Sequence, residues 1–246
     1  MSDLPLFTRY RKATRRLATG PRLVLDTPDR LARSLRDLVR RADGSVWLLA
    51  DMNTAAAAPE LVDALPPARA TILPGTPPVV PEIALAEQVA REATGSGSRL
   101  LVSIGGGTIT DLAKYAARIA GLELVCIPSA ASVDAYTSAR SALRIEGYHR
   151  TPDCRVPDVI LVAPAIVAAA PDELTLAGIG DLVAKLIARL DWALGAIVTG
   201  EAFSRREAEW SARAARTALS RLRHAALSRL RHAGLEAAAL SGLDAL

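Results

Sequence analysis

Ser103-Ile104-Gly105-Gly106-Gly107-Thr108-Ile109-Thr110-Asp111-Leu112-Ala113-Lys114 is the stretch whose reading decides the fold of this chain. The residues before it, Arg99-Leu100-Leu101-Val102, run into Ser103-Ile104 as a short apolar segment of the kind that forms a buried parallel strand, and Asp111 to Ala120 has helical spacing. A strand, a glycine turn and a helix are therefore expected. Three successive glycines strip the turn of Cβ atoms, so that a ligand can approach the backbone and the chain is free to adopt positive φ. The unpaired N–H groups of the first helical turn, backed by the positive end of the helix dipole, suit a diphosphate. The spacing is neither Gly-x-Gly-x-x-Gly, because Thr110 takes the third glycine's place, nor a Walker loop. A tight connection that binds nothing is the competing reading of these residues alone.

Outward from the turn, short apolar strands alternate with helices. Thr27-Pro28-Asp29 opens a helix to about Arg41, with threonine as cap and proline in the first turn, and Leu31, Leu35 and Leu38 on one face. Ser45 to Ala50 reads as a strand ending at Asp51, whose carboxylate either accepts hydrogen bonds from a ribose or caps the Asn53-Thr54 segment. Ala70 to Leu73, Leu122 to Ile127 and Asp158 to Val162 read as further strands, and Ile83 to Ala93 as a helix. This alternation predicts an α/β domain over residues 1–164 with a doubly wound, mostly parallel sheet, whose ligands lie beyond the carboxyl ends of the strands. Pro128 to Ser138, rich in small and hydroxylated residues, is the second wall of that crevice, and Asp134 within it is either a helix cap or part of a polar site. An all-helical region over residues 165–246 follows. It starts at Pro171-Asp172-Glu173, is broken at Gly178-Ile179-Gly180, and carries Asp181 and Lys185 on one helix face.

Composition narrows the function classes. The 246 residues carry a net charge of +4 with only 4% aromatics, so the arginines near both ends read as solvated helix surface rather than as a nucleic-acid interface. The N-terminal arm, in which Leu4, Leu6, Phe7 and Tyr10 are the packing residues, has no apolar signal core, and no apolar run reaches the length of a membrane span. The two cysteines, Cys126 and Cys154, form no disulfide framework, and a cytoplasmic location is expected.

Four motifs together resemble one family. Residues 105–114, Pro-Ser-Ala-Ala-Ser-Val-Asp-Ala-Tyr-Thr-Ser at 128–138, Gly-Tyr-His-Arg-Thr at 147–151 and Ala-Gly-Ile-Gly-Asp-Leu-Val-Ala-Lys at 177–185, with Asp191-Trp192, stand in the order and spacing of glycerol-1-phosphate dehydrogenases. These group with glycerol dehydrogenase, the iron-containing alcohol dehydrogenases and 3-dehydroquinate synthase. The resemblance implies metal-assisted, NAD- or NADP-dependent interconversion of dihydroxyacetone phosphate and sn-glycerol 1-phosphate. By the same resemblance Gly105, Gly106, Gly107, Thr108 and Asp111 hold the cofactor, Asp51 approaches its adenine ribose, and Ser129, Ser132 and Ser138 contact it. Asp134 lies beside nicotinamide and substrate, His149 and Arg150 assist with substrate phosphate, and Asp181 is the carboxylate ligand of a divalent metal, zinc in most of the group.

The chain departs from the family in three places. The family's two metal-binding histidines have no counterpart: of the three histidines, His224 and His232 lie in a tandem repeat at 218–225 and 226–233, separated on a helix by about 80° and about 12 Å. Ala163 stands where relatives have an aspartate, and Gly242 to Leu246 ends the chain with apolar residues. A shortened relative with impaired turnover is one expectation; a homo-oligomer or a partner chain covering the C-terminal helices is another. Two rival functions remain, a sugar phosphate cyclase of the dehydroquinate synthase type and a non-catalytic nucleotide-binding protein acting through a partner.

Overall fold

The computed structural model describes residues 21–66 and 69–232, with side chains described as far as residue 223. The N-terminal arm, the apolar end at 242–246 and the side chains of His224 and His232 lie outside the described residues. The chain divides after Thr175 into two compact units.

Eight strands form among the described residues of the first unit: β1 (Arg22–Leu25), β2 (Val46–Asp51), β3 (Ala70–Leu73), β4 (Leu100–Gly105), β5 (Glu123–Pro128), β6 (Leu143–Ile145), β7 (Tyr148–Arg150) and β8 (Val159–Val162). Six of them make one sheet in the order β1-β8-β5-β4-β2-β3, with every pair parallel. Helices α1 (Pro28–Arg41), α2 (Met52–Ala57), α3 (Pro59–Val62), α4 (Ile83–Gly95), α5 (Gly107–Ala120) and α6 (Pro164–Ala168) lie between and after the strands. The pleat sorts the side chains: Leu48, Ala50, Val102, Ile104, Val125 and Ile127 pack in one core with Leu31 and Leu35 of α1, while Leu49, Leu101, Leu124 and Cys126 pack in the other with α4 and α5. All six residues of β4 are buried, as a strand covered on both faces requires.

Three strands, β1, β6 and β7, carry no local sequence signal. β1 buries only Val24 and owes its strand form to pairing with β8 at the sheet edge. The β6–β7 hairpin turns through Glu146 and Gly147, both at positive φ, without the Asn-Gly or Asp-Gly signal that marks such turns in sequence.

The described part of the second unit is made of α7 (Asp172–Thr199), whose first residues close the first unit, and α8 (Arg205–His232), both long helices. The expected break at Gly178-Ile179-Gly180 is absent, because glycine costs a helix interior only about 1 kcal/mol, which a helix of 28 residues absorbs. It ends instead at Gly200, in the left-handed conformation. No helix among the described residues is long and apolar enough to cross a membrane.

The glycine turn also differs from expectation. None of Gly105, Gly106 and Gly107 has positive φ, so handedness requires glycine at none of them, and space decides where it is needed. A Cβ on Gly105 would lie 2.4 Å from Cβ of Ile109, and one on Gly107 3.0 Å from Val133, whereas one on Gly106 would meet only the Ser132 hydroxyl at 3.5 Å. Gly105→Ala is expected to cost about 1–3 kcal/mol through overpacking, read as a lower urea midpoint at unchanged slope, and Gly106→Ala to leave the midpoint near that of the wild type.

Candidate functional site

Strands β2 and β4 are neighbours, but the chain leaves β2 toward β3 on one side and β4 toward β5 on the other. The connections therefore part above this pair and open a crevice at the carboxyl ends of the strands. A cleft of about 400 Å³ occupies it.

Asp51 enters the cleft from the end of β2. It caps α2: its carboxylate accepts the Thr54 amide at 2.9 Å, while the Thr54 side chain takes the Asp51 amide in return. The Thr54 hydroxyl also bonds the Ile104 carbonyl at 2.9 Å and so ties this turn to the end of β4. Capping engages Oδ1, and among the described residues Oδ2 has no hydrogen bond, so the cap and the ribose readings of Asp51 are compatible. Asn53 donates to the Gly75 carbonyl at 2.9 Å and brings the segment after β3 to the rim; with Gly75, Pro78 and Val79 it forms a wall that has no local signal in the sequence.

Gly106, Gly107, Thr108 and Ile109 form the floor. The first bond within α5 runs from the Thr110 amide to the Gly106 carbonyl at 3.1 Å, so the amides of residues 107–109 precede the helical ladder and sit at the positive end of the helix. Ser129 and Ser132 close the opposite side, with the Ser129 amide held by the Gly105 carbonyl at 3.1 Å. Ile166, Ala169, Ala170 and Leu174 add an apolar margin. Among the described residues no lysine or arginine lines the cleft, so an anion there would depend on helix amides and hydroxyls.

Asp51, Gly106, Gly107, Thr108, Ser129 and Ser132 are thus brought to one cleft, while the other candidates are elsewhere. Gly105 lies buried beneath the floor. The Asp111 carboxylate faces Lys114 at 2.9 Å and the Ala142 amide at 3.1 Å. Burial raises its pKa above the ordinary carboxylate range, against the Lys114 charge and these hydrogen bonds. Ser138 accepts the Arg140 amide at 3.0 Å. Asp134 is exposed and precedes the short 3-10 turn Ala135–Thr137 without a side-chain cap bond to it. His149 and Arg150 lie on exposed β7, where the Arg150 guanidinium sits 5.5 Å from the centre of the Tyr148 ring. Asp181 belongs to the second unit.

Parallel strands wound in two directions from β2 and β4, with a cleft at the parting, define the doubly wound α/β class. The chain belongs to the iron-containing alcohol dehydrogenase family, whose sequence profile matches residues 27–171. A glycerol-1-phosphate dehydrogenase [NAD(P)+] of Aeropyrum pernix is 40% identical over 109 residues, 44% of this chain and 31% of that protein. One of Bacillus velezensis is 28% identical over 186 residues, 70% of this chain and 46% of that protein. A crystal structure titled as a probable glycerol dehydrogenase from Sinorhizobium meliloti 1021 superposes with a TM-score of 0.56 at 28% identity, covering 68% of this chain and 46% of that one. The chain spans less than half the length of each of these relatives.

Tyr136, missed as a site residue, ties the second wall together: its hydroxyl donates to the Ala130 carbonyl at 2.7 Å. Burial pushes the phenol up to about 12, against the opposing pull of the Ser132 hydroxyl. An acid whose folded pKa is raised stabilises the fold fully below its unfolded value near 10, and that contribution is lost as pH rises through about 12. Difference ultraviolet titration against Tyr136→Phe should show one phenol ionising near 12, and the variant's stability should fall less steeply than that of the wild type between pH 10 and 12.

Proposed function

We propose that the first unit binds the diphosphate of NAD(H) or NADP(H) on the first turn of α5, in a chain whose reaction is the interconversion of dihydroxyacetone phosphate and sn-glycerol 1-phosphate. The observation that supports the binding reading most directly is the convergence of Asp51, the free amides of residues 107–109, Ser129 and Ser132 in one cleft at the parting of the strands. The substrate reading draws on the names of the relatives, glycerol-1-phosphate dehydrogenase [NAD(P)+], together with the four motifs in register.

When bound, the nicotinamide gives or takes the hydride. The chain's own residues bind and orient. Amides at the positive end of α5 carry the diphosphate charge, Oδ2 of Asp51 accepts from ribose hydroxyls while Oδ1 keeps the α2 cap, and Ser129 and Ser132 supply hydroxyls along the far wall. Asp134 is assigned to the substrate end, with His149 and Arg150 as phosphate contacts, on the resemblance alone.

The metal fares differently. Among the described residues no group of three or more His, Cys, Asp or Glu is gathered to hold an ion, and no step is derived through one. Asp181 stays a candidate carboxylate by resemblance. Leu176, Ile187, Leu190, Leu194 and Ile197 of α7 are exposed, and a homo-oligomer or a partner chain would cover them.

Isothermal titration of the folded protein should give heat with NADH, NADPH or both, and Gly106→Ala should weaken that binding about tenfold, roughly 1.4 kcal/mol, without lowering the melting temperature. No heat with either dinucleotide, or unchanged affinity in Gly106→Ala, would remove the support from this reading. Net NADH oxidation with dihydroxyacetone phosphate separates the dehydrogenase from a cyclase, which closes a ring without net redox change.

A further inference from the structure

Lys114 is fully buried, one helical turn after Asp111 on α5. A buried ammonium is costly unless its protons are accepted, and all three are. They go to Asp111 at 2.9 Å, to the Ala135 carbonyl at 3.1 Å and to the Arg140 carbonyl at 2.6 Å. The other oxygen of Asp111 accepts the Ala142 amide at 3.1 Å. The pair thus grips the backbone of residues 135–142 at three points, all more than 20 residues away along the chain.

That segment needs such a grip. Between β5 and β6 regular structure is limited to one 3-10 turn and an isolated antiparallel bridge between Arg140 and Asp153. The backbone bonds of that bridge, the Ser141 amide to the Pro152 carbonyl and the Cys154 amide to the Ala139 carbonyl, hold the 139–141 end but leave residues 135–138 to the buried pair. Ala135 follows Asp134 directly, and Tyr136 bonds back to Ala130 beside Ser129. One residue after Ala142 the β6–β7 hairpin begins, which carries His149 and Arg150. The first turn of α5 lines the cleft, while residues 111 and 114, further along the same helix, hold the strip of chain leading to the substrate end.

We propose that Asp111 and Lys114 are positioning residues: from within α5 they hold residues 135–142, and with them Asp134 and the 143–150 hairpin, in the geometry the substrate end requires, and they take no part in holding the dinucleotide diphosphate. The substrate-end part of this rests on the functional reading above. The mechanical part rests on the hydrogen bonds alone.

The test compares wild type with Lys114→Met, Asp111→Asn and the double variant, which leaves neither partner as an unpaired buried charge if a single variant fails to fold. Amide hydrogen exchange in 135–142 should accelerate about tenfold or more while β4 and the first turn of α5 keep their protection. The Tyr136 phenol, read by difference titration against Tyr136→Phe in the same background, should move from about 12 toward its ordinary value. NADH or NADPH affinity should change less than about threefold, while the emission of bound reduced nicotinamide shifts, because its surroundings are no longer fixed. A folded double variant with unchanged exchange and unchanged phenol titration overturns the proposal, and so does loss of dinucleotide affinity with the segment still protected. If the wild type binds neither dinucleotide, the functional reading fails separately, and exchange and titration still decide whether the pair holds the segment.

Discussion

At the end of β4 the backbone must leave a fully buried strand and start a helix while Ile109 and Val133 press against it from within. At 2.4 Å from Ile109 there is no room for a Cβ on Gly105, and at 3.0 Å from Val133 one on Gly107 would fit only if that side chain gave way. That squeeze aligns the start of α5 and leaves its bare amides facing outward. The turn is held from both sides, by the Thr54 hydroxyl on the Ile104 carbonyl and by the Ser129 amide on the Gly105 carbonyl. Each wall of the cleft is therefore anchored to the same few peptide groups.

This arrangement divides the electrostatic work. The cleft has no lysine or arginine among its described lining residues and one carboxylate, Asp51, at its rim. Negative charge placed there would be met by helix amides, which are fixed in direction and cost little reorganisation. The nearby cation on the same helix, Lys114, is buried and occupied by Asp111 and two carbonyls. Cys126, in the same core layer as α5, is pushed by burial up to about 12 and stays a neutral thiol at ordinary pH. Around this helix, positive charge serves the fold and oriented dipoles serve the cleft.

The two units differ in how they use apolar residues. In the first, the pleat delivers alternate side chains to two closed cores. In the second, α7 keeps Leu190, Leu194 and Ile197 exposed, and its two interior glycines do not interrupt it. Helix propensity alone overstated those glycines, because each costs one residue's share of a long ladder.

Local chemistry was enough to place the strands β2, β3, β4, β5 and β8, the glycine turn and the start of α1, since apolar runs, proline and glycine act within a few residues of themselves. The same local chemistry pointed to Asp51, the glycine turn and the 128–138 wall, because residues just past the carboxyl ends of parallel strands converge in any doubly wound sheet, while Thr108, Ser129 and Ser132 were named individually by the family resemblance. Tertiary structure alone decided the rest. Gly105 and Gly107 prove to be tight for room rather than needed for positive φ, because the helix start brings Ile109 onto the one and the following segment brings Val133 onto the other. Asp111 and Lys114 turn from the cleft toward residues 135–142, because a buried ion pair goes to whatever backbone can satisfy it, and partners more than 20 residues distant leave no mark in the local sequence.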